Sequence, residues 1–215
     1  MPTLLHLDSS SDLRDSRSRA ITRAFAEEWA SAGDEFTIVR RDLHTQPLPH
    51  LADSWLHWPA RLRPDDVVVA AESEALQAEL IDELLGADVL LVGAPLYNYS
   101  MPSSLKAWID NIHVPGITAP FDVDSQPLAG RPAVIVTSRG GIYDAGSRQD
   151  GWDHAVPPLQ LILGDALGMD TEVIVTTRTL AYFIPGLADE RERAHDELDA
   201  AIEAARSAAR RLSGR

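Results

Sequence analysis

Short apolar runs alternate along this chain with longer segments in which apolar residues recur every three or four positions. Uninterrupted apolar runs of about four to eight residues are typical of strands that are buried on both faces of a parallel sheet. Apolar residues at helical spacing indicate amphipathic helices. The pattern predicts five strands, at residues 3–7, 36–39, 89–92, 133–137 and 172–176.

Segments with helical spacing separate these strands. The helices are predicted at residues 21–29, 72–85, 102–109, 152–167 and 194–212. Gly86 and Gly168 stand where the second and fourth of them would end. Alternating strands and helices predict an α/β fold, a parallel sheet with helices on both faces. No repeat or linker is visible, so residues 1–215 are interpreted as one domain.

Two connections are too long to be simple turns. The first, residues 44–66, contains four prolines together with Trp55 and Trp58. Long ordered loops in compact domains are often functional. The two tryptophans are expected to line a pocket, to form a subunit contact or to pack on their own domain. The second connection, residues 114–130, contains three prolines and is predicted to be irregular.

A hydroxyl-rich loop follows the first predicted strand. It runs from Asp8 to Ser18, includes Ser10 and Ser16, and leads directly into a predicted helix. Backbone N–H groups, hydroxyls and the helix dipole all favour a phosphate at such a helix N-terminus. Ser16 would equally serve as an ordinary helix N-cap. The loop lacks the glycine pattern of dinucleotide-binding folds and the Gly-Lys-Ser/Thr sequence of nucleoside triphosphate sites.

Two further loops follow the third and fourth predicted strands. Residues 95–99 carry two tyrosines and an asparagine, a set that suits a flat heteroaromatic ligand but would also pack on the following helix. Residues 138–141 end in Gly140 and Gly141. Paired glycines permit a close approach of the backbone to a ligand, and they also form tight turns.

The predicted topology brings these three loops together. In a flavodoxin-like sheet of strand order 2-1-3-4-5, strands one, three and four are neighbours, and ligands bind at the switch point between strands one and three. One loop would then hold a phosphate, and the other two would hold a flat ring. FMN carries one phosphate at one end of such a ring system, so the sequence predicts a flavodoxin-like protein that binds FMN.

Composition narrows the function further. The net charge is −14 and the pI is near 4.8, which argues against nucleic-acid or anionic-membrane partners because phosphate neutralisation needs clustered Lys and Arg. The chain has no cysteine, which excludes disulfides, thiolate zinc sites and cysteine nucleophiles. Its seven histidines lack zinc-site spacing, so no metal site is predicted. With no signal peptide or membrane span predicted, a cytoplasmic location is expected.

Four motifs occur in a fixed order: Ser9-Ser10 with Ser16-Arg17-Ser18, then Ala94-Pro95-Leu96-Tyr97-Asn98-Tyr99, then Leu105-Lys106, and last Thr137-Ser138-Arg139-Gly140-Gly141-Ile142. In these motifs, and over most of its length, the chain resembles the FMN-dependent NADH:quinone oxidoreductases, also known as FMN-dependent azoreductases. The resemblance implies a homodimer with active sites at the subunit interface. It also implies transfer of two electrons from NADH or NADPH, through FMN, to a quinone or an azo compound.

The resemblance also implies which residues contact FMN. Ser10 and residues 16–18 would bind the phosphate, and the loops after the third and fourth strands would hold the isoalloxazine. The full set is Ser10, Ser16, Arg17, Ser18, Pro95, Leu96, Tyr97, Asn98, Tyr99, Ser138, Arg139, Gly140 and Gly141. The chain departs from the family at Arg17, where a neutral residue is usual, and in residues 114–130, which are shorter here than the segment that helps to cover the flavin.

No catalytic side chain is predicted, because hydride transfer is the chemistry of the cofactor itself. The N–H groups of Gly140 and Gly141 would stabilise the negative charge of reduced flavin, and Gly141 is expected to have an unusual backbone angle. Tyr143 is a candidate donor to the acceptor, with packing as its alternative role. Donor and acceptor would use the same flavin face in turn, with ping-pong kinetics. The alternatives are an FMN electron carrier that docks a protein partner without using a nicotinamide, and a flavin-free interaction protein.

Overall fold

A central parallel sheet organises the computed structural model, which describes residues 1–214. Its strands lie in the order β2-β1-β3-β4-β5, and every neighbouring pair is parallel. The strands are β1 Thr3–Asp8, β2 Thr37–Asp42, β3 Val89–Gly93, β4 Pro132–Ser138 and β5 Asp170–Thr176. The predicted fold class and strand order are therefore confirmed.

Five helices connect or follow the strands. They are α1 Arg17–Ala30, α2 Ala71–Gly86, α3 Ser103–Ile112, α4 Val156–Leu159 and α5 Arg191–Leu212. Short 3₁₀ helices occupy Ser54–His57, Ala60–Leu62, Thr179–Tyr182 and Pro185–Glu190. None of the helices described between residues 1 and 214 combines the length and apolar character that a membrane crossing requires.

The strand residues alternate between two apolar cores. On one face, Leu5 and Leu7 of β1 pack with residues of α2, α3 and α4. On the other face, Leu4 packs with residues of α1 and α5. All five residues of β3 are buried. This alternation explains the continuous apolar runs in the sequence and confirms the prediction of helices on both faces.

The helix predicted over residues 152–167 begins four residues later, at Val156. The cause is Asp153, whose Oδ1 accepts a hydrogen bond of 3.0 Å from the N–H of Val156 and leaves Trp152 outside the helix. Beyond α4 the chain continues as a π-helix over Gln160–Ala166. The predicted start was wrong because apolar spacing does not show which side chain accepts hydrogen bonds from the first N–H groups of the helix.

The two long connections pack against each other. The ring of Trp58 lies 5.3 Å from that of Phe121 in an edge-to-face contact. Arg61 forms an ion pair of 2.6 Å with Asp122 and donates a hydrogen bond of 3.1 Å to the carbonyl of Gly116. Of the three roles expected for the tryptophan loop, the structure therefore shows packing on its own chain.

Arg19 ties the first two strands to the first helix. Its guanidinium donates to both carboxylate oxygens of Asp42, at 2.8 and 2.9 Å, and to the carbonyl of Ser10, at 2.7 Å. Burial raises the pKa of Asp42, but the hydrogen bonds from Arg19 and from backbone N–H groups outweigh it and lower the pKa from 3.8 to about 2. The pair fixes the end of β2 against the loop that follows β1.

We expect Asp42→Asn to lower the free energy of unfolding at pH 7 by about 1–2 kcal/mol, after allowance for partial solvent screening. A depressed folded-state pKa gives a contribution that is present above the unfolded pKa and is lost as pH falls from about 4 to about 2. The free energies of unfolding of the wild type and of Asp42→Asn, measured by urea unfolding, should therefore become equal near pH 2. Asp65→Asn is the control, because Asp65 is exposed and makes no hydrogen bond or ion pair with the described residues. A difference that persists at pH 2 would contradict the assignment.

Candidate functional site

Three loops meet at the carboxyl edge of the sheet, as their positions after β1, β3 and β4 predicted. The hydroxyl of Ser9 donates to the carbonyl of Gly93 at 2.6 Å, which joins the first loop to the end of β3. The N–H of Leu96 donates to the carbonyl of Ser138 at 2.9 Å, which joins the second loop to the end of β4. These bonds hold the three loops side by side at the ends of three adjacent strands, and the surface between the loops is the crevice.

Tyr97 connects the serine loop to the aromatic loop. Its hydroxyl lies 3.0 Å from Oγ of Ser10 and accepts a hydrogen bond of 3.1 Å from the N–H of Ser11. Ser10 is buried, so this contact lies at the base of the crevice and not at its rim. The sequence predicted Tyr97 as a ring contact, and the structure adds a second role, in which its hydroxyl positions the serine loop.

The start of α1 combines a cap with unpaired donors. Oγ of Ser16 accepts a hydrogen bond of 3.3 Å from the N–H of Arg19, so Ser16 is the helix N-cap, and its Oγ lies 3.2 Å from that of the buried Ser18. The N–H groups of Arg17 and Ser18 have no acceptor among the described residues. First-turn N–H groups without partners favour an anion. The cap and an anion site are therefore compatible.

Arg17 extends from this helix start to a different part of the chain. Its guanidinium carbon lies 4.5 Å from the ring centroid of Tyr182, which is a cation–π contact. Tyr182 belongs to the 3₁₀ helix that follows β5. The positive charge that distinguishes this serine loop is therefore held beside the loop by an aromatic ring.

The aromatic loop turns sharply at Asn98 and Tyr99. The N–H of Tyr97 donates to the carbonyl of Ser100 at 2.8 Å, and the N–H of Ser100 donates back to Tyr97 at 3.0 Å. The φ angles of Asn98 and Tyr99 are 48° and 69°. Two consecutive positive angles define a type I′ turn. A tyrosine with a positive φ angle is strained by about 1–3 kcal/mol, and backbone strain of this kind is concentrated at functional sites.

An exposed aromatic cluster stands beside this turn. The ring of Tyr99 lies 5.6 Å from that of Trp152 and 6.4 Å from that of Tyr143, and both contacts are edge-to-face. Burial, and then the neighbouring Tyr99, raise the pKa of Tyr143, so its phenol stays protonated at neutral pH and is able to donate a hydrogen bond. Trp152 was assigned to a helix from the sequence, and no sequence signal placed it at the crevice.

The glycine loop presents free N–H groups but an ordinary backbone. The carbonyls of Arg139 and Gly140 accept hydrogen bonds from Thr179 and Leu180, at 3.1 and 3.3 Å. The N–H groups of Gly140 and Gly141 have no acceptor among residues 1–214. Neither glycine has a positive φ angle, so the unusual backbone angle expected at Gly141 is wrong. The positive angles occur in the neighbouring loop.

What glycine provides at position 141 is space. A Cβ there would lie 2.7 Å from Oε1 of Gln149, at the flexible end of that side chain. At position 140 a Cβ would lie 2.9 Å from Cδ1 of Leu180. Both glycines therefore leave room beside the ends of neighbouring side chains.

Arg139 stabilises the glycine loop from within. Its side chain is buried, with its guanidinium 2.5 Å from the carboxylate of Asp153 and 3.5 Å from that of Asp144. Its Nε has no hydrogen-bond partner among the described residues. Since Asp153 also accepts hydrogen bonds from the N–H groups of Ala155 and Val156, this ion pair connects the end of β4 to the start of α4. The side chain of Arg139, one of the residues predicted to contact FMN, is thus engaged by two carboxylates of the protein.

The chemistry of the crevice is that of binding and polarisation. It offers serine hydroxyls and free N–H groups at one end, and aromatic faces with two free glycine N–H groups at the other. Within residues 1–214, no group of three or more histidines and carboxylates is arranged to hold a metal ion. The donor set suits a ligand with an anionic end and a flat polar ring.

The sequence matches the family described as flavodoxin-like fold over residues 2–208. It is 56% identical over 212 residues to the FMN-dependent NADH:quinone oxidoreductase of Kineococcus radiotolerans, covering 99% of this chain and 100% of that protein. The protein of the same name from Streptomyces coelicolor is 40% identical over 206 residues, covering 92% of each chain.

Solved structures share the architecture. The FMN-dependent NADH-azoreductase from Bacillus anthracis, solved in complex with FMN, matches with a TM-score of 0.79 at 20% identity, covering 99% of this chain and 100% of that one. At this identity the likeness shows the fold alone. The family match and the two relatives extend over nearly the whole chain. The chain therefore belongs to the FMN-dependent NADH:quinone oxidoreductases and has their flavodoxin-like fold.

Proposed function

We propose that this protein is an FMN-dependent oxidoreductase that transfers two electrons from NADH or NADPH, through bound FMN, to a quinone or an azo compound. The observation that carries the proposal is the convergence of the serine, aromatic and glycine loops in one crevice. The relatives named for this activity match the chain over most of its length. Those names do not favour the alternative of an electron carrier that uses no nicotinamide.

The phosphate end of the site is assigned to the start of α1. The unpaired N–H groups of Arg17 and Ser18 would donate to phosphate oxygens, together with the hydroxyls of Ser10, Ser16 and Ser18. The helix dipole and the guanidinium of Arg17 add positive potential. Because the Arg19–Asp42 pair holds the loop through the carbonyl of Ser10, these donors are positioned before any ligand binds.

The ring end of the site is assigned to the aromatic and glycine loops. FMN, when bound, supplies the redox chemistry, and the protein supplies orientation and electrostatics. Pro95, Leu96 and the strained turn at Asn98 and Tyr99 would support the ring. The free N–H groups of Gly140 and Gly141 would lie against its polar edge, where fixed donors stabilise negative charge. Protonated Tyr143 would donate a hydrogen bond to the acceptor, which would enter after the oxidised nicotinamide has left, as ping-pong kinetics require.

We infer that the protein is a homodimer of single-domain subunits and acts in the cytoplasm. Trp152 and Tyr99 are 48% and 46% exposed beside the crevice, and Phe183 is 71% exposed on the segment after β5. Exposed apolar groups near a site are typical of interfaces. Light scattering at micromolar concentration tests the dimer, and a monomer with full quinone reductase activity would contradict shared sites.

The purified protein should show a flavin absorption spectrum, or acquire one when FMN is added. In the absence of oxygen, NADH should bleach the flavin absorption, because the flavin takes up two electrons. A quinone should then restore the absorption, because the flavin releases those electrons. Anaerobic absorbance spectroscopy measures the reduction of the flavin and its reoxidation, and a steady-state assay of NADH oxidation measures the complete cycle. A protein that binds FMN but is not reduced by NADH or NADPH would indicate an electron carrier. A protein that takes up no FMN would refute the whole proposal.

Removing the hydroxyls of Ser16 and Ser18 should weaken FMN binding at least about tenfold. A hydrogen bond to a charged group contributes roughly 1.5–3 kcal/mol. Loss of the Ser16 cap should also destabilise α1 by about 1 kcal/mol, so affinity is measured on protein shown to be folded. Fluorescence titration of the Ser16→Ala, Ser18→Ala double variant gives the affinity. Riboflavin, which lacks the phosphate, is the control and should bind the wild type and the double variant with equal affinity. Equal weakening of both flavins would place the phosphate elsewhere.

Gly141→Val should weaken FMN binding by roughly 1–3 kcal/mol, about five- to 150-fold, because the added methyl groups would occupy the space of the ring. The melting temperature of the FMN-free protein should change little, since the clashing atom is at the far end of the flexible Gln149 side chain. Gly186→Val is the matched control, because a Cβ at Gly186 meets nothing within 4 Å. If Gly141→Val lowers the melting temperature and leaves FMN affinity intact, residues 138–141 form only a structural turn.

A further inference from the structure

The first residue of α1 carries a charge of the wrong sign for its position. Arg17 begins the helix, and no acidic residue stands in the first turn. The N-terminus of a helix is the positive end of its dipole, so a cation there is unfavourable and an anion is favoured. Arg19, in the same turn, is compensated by its ion pair of 2.8 Å with Asp42. The side chain of Arg17 forms no hydrogen bond or ion pair with the described residues, so its charge is not compensated in this way.

The carboxylates that precede the helix are not partners of Arg17. Oδ1 of Asp12 accepts hydrogen bonds from the N–H groups of Asp15 and Arg14, at 3.0 and 2.9 Å. These two bonds are the main cause of the lowered pKa of Asp12, and the charge of Arg17 contributes less to it. The side chain of Asp15 is exposed to solvent. The guanidinium of Arg17 is therefore an uncommitted donor at the start of the helix.

An aromatic ring restrains Arg17 instead. Its guanidinium carbon lies 4.5 Å from the ring centroid of Tyr182, and both side chains are half-buried. A cation–π contact attracts the charge of a guanidinium but offers its N–H groups no oxygen acceptor. An arginine side chain loses rotamer entropy when it binds a ligand, and a side chain that is already restrained loses less. The ring therefore prepares Arg17 for an anionic ligand without satisfying its donors.

Tyr182 is itself held in place by the contacts of the segment after β5. Nε of Arg191 donates a hydrogen bond of 3.0 Å to the carbonyl of the buried Ala181, and Arg178 forms an ion pair with Glu197 of α5. The hydroxyl of Tyr182 makes no hydrogen bond with the described residues, so the ring alone makes the contact with the start of α1. This segment is a fourth element beside the proposed site, in addition to the serine, aromatic and glycine loops.

We propose that Tyr182 is a positioning residue for the phosphate end of the site. Its ring holds the guanidinium of Arg17 at the helix start, where Arg17 would donate to phosphate oxygens and raise the selectivity for FMN over riboflavin. The charge of Arg17 is unfavourable against the helix dipole in the free protein, and a bound phosphate would neutralise it. The proposal rests on the FMN-dependent function proposed above, and it adds to the site a residue from a segment that the sequence did not assign to it.

The test is fluorescence titration of the wild type and its variants with FMN and with riboflavin. Tyr182→Leu should weaken FMN binding about two- to fivefold, the range for one cation–π contact, and should leave riboflavin binding unchanged. Tyr182→Phe keeps the ring and should bind FMN as tightly as the wild type, which a role of the hydroxyl would not allow.

A double-variant cycle shows whether Tyr182 acts through Arg17. Arg17→Gln should weaken FMN binding about five- to tenfold, because it removes a partly screened charged donor. In the Arg17→Gln background, Tyr182→Leu should have no further effect on FMN binding. Arg23→Gln is the matched control, because it removes an exposed arginine further along the same helix and should change FMN affinity less than twofold, about the limit expected for a distant screened charge.

Any of four outcomes would overturn the proposal: unchanged FMN affinity in Tyr182→Leu, equal weakening of FMN and riboflavin by Tyr182→Leu, an equal loss of FMN affinity in Tyr182→Phe, or an undiminished effect of Tyr182→Leu in the Arg17→Gln background. If the protein takes up no FMN, the proposed function fails, and the FMN-free protein is tested with inorganic phosphate at ionic strength matched with KCl. Phosphate should then raise the melting temperatures of the wild type and Tyr182→Phe more than those of Tyr182→Leu and Arg17→Gln. Equal rises in all four proteins, or no rise in the wild type, would refute the positioning role of Tyr182.

Discussion

The structure depends on one constraint, the burial of parallel strands on both faces. Every side chain of β3 lies in one of the two apolar cores, and its backbone groups pair with β1 and β4. A strand of this kind has no free group along its length, so polar chemistry is confined to the residues beyond its carboxyl end. The three loops meet because β1, β3 and β4 are adjacent and all end at the same edge.

Loops placed at such an edge need anchors, and this acidic protein uses arginines for them. Arg19 fixes the loop after β1 to the end of β2, and Arg139 fixes the loop after β4 to Asp153, just before α4. Arg178 pairs with Glu190 and Glu197 after β5. Removing one partner of a buried pair is costly, because the remaining charge is left uncompensated. The anchors therefore hold the loops that carry the main-chain donors in place at the edge of the sheet.

The sequence was sufficient for the features that depend on local pattern. The run from residue 89 to residue 92 identified a buried strand, and the position of the loops after the strands placed them at one edge. Contacts between distant residues were not predictable in this way. Arg19 and Asp42 are 23 positions apart, and no periodicity pairs them. Asp153 determined the start of α4 through a hydrogen bond that apolar spacing does not reveal.

The turn at Asn98 and Tyr99 restricts how this protein can change over evolution. Asparagine, aspartate and glycine tolerate a positive φ angle, so position 98 has a few acceptable replacements, whereas β-branched residues at either position would carry a large penalty. Glycine at position 99 would relieve the backbone but would delete the ring that contacts Tyr143 and Trp152. Sequence drift here should therefore proceed mainly by exchange of one aromatic residue for another. The shape of the crevice wall would then persist in descendants of this chain even where the surrounding surface diverges.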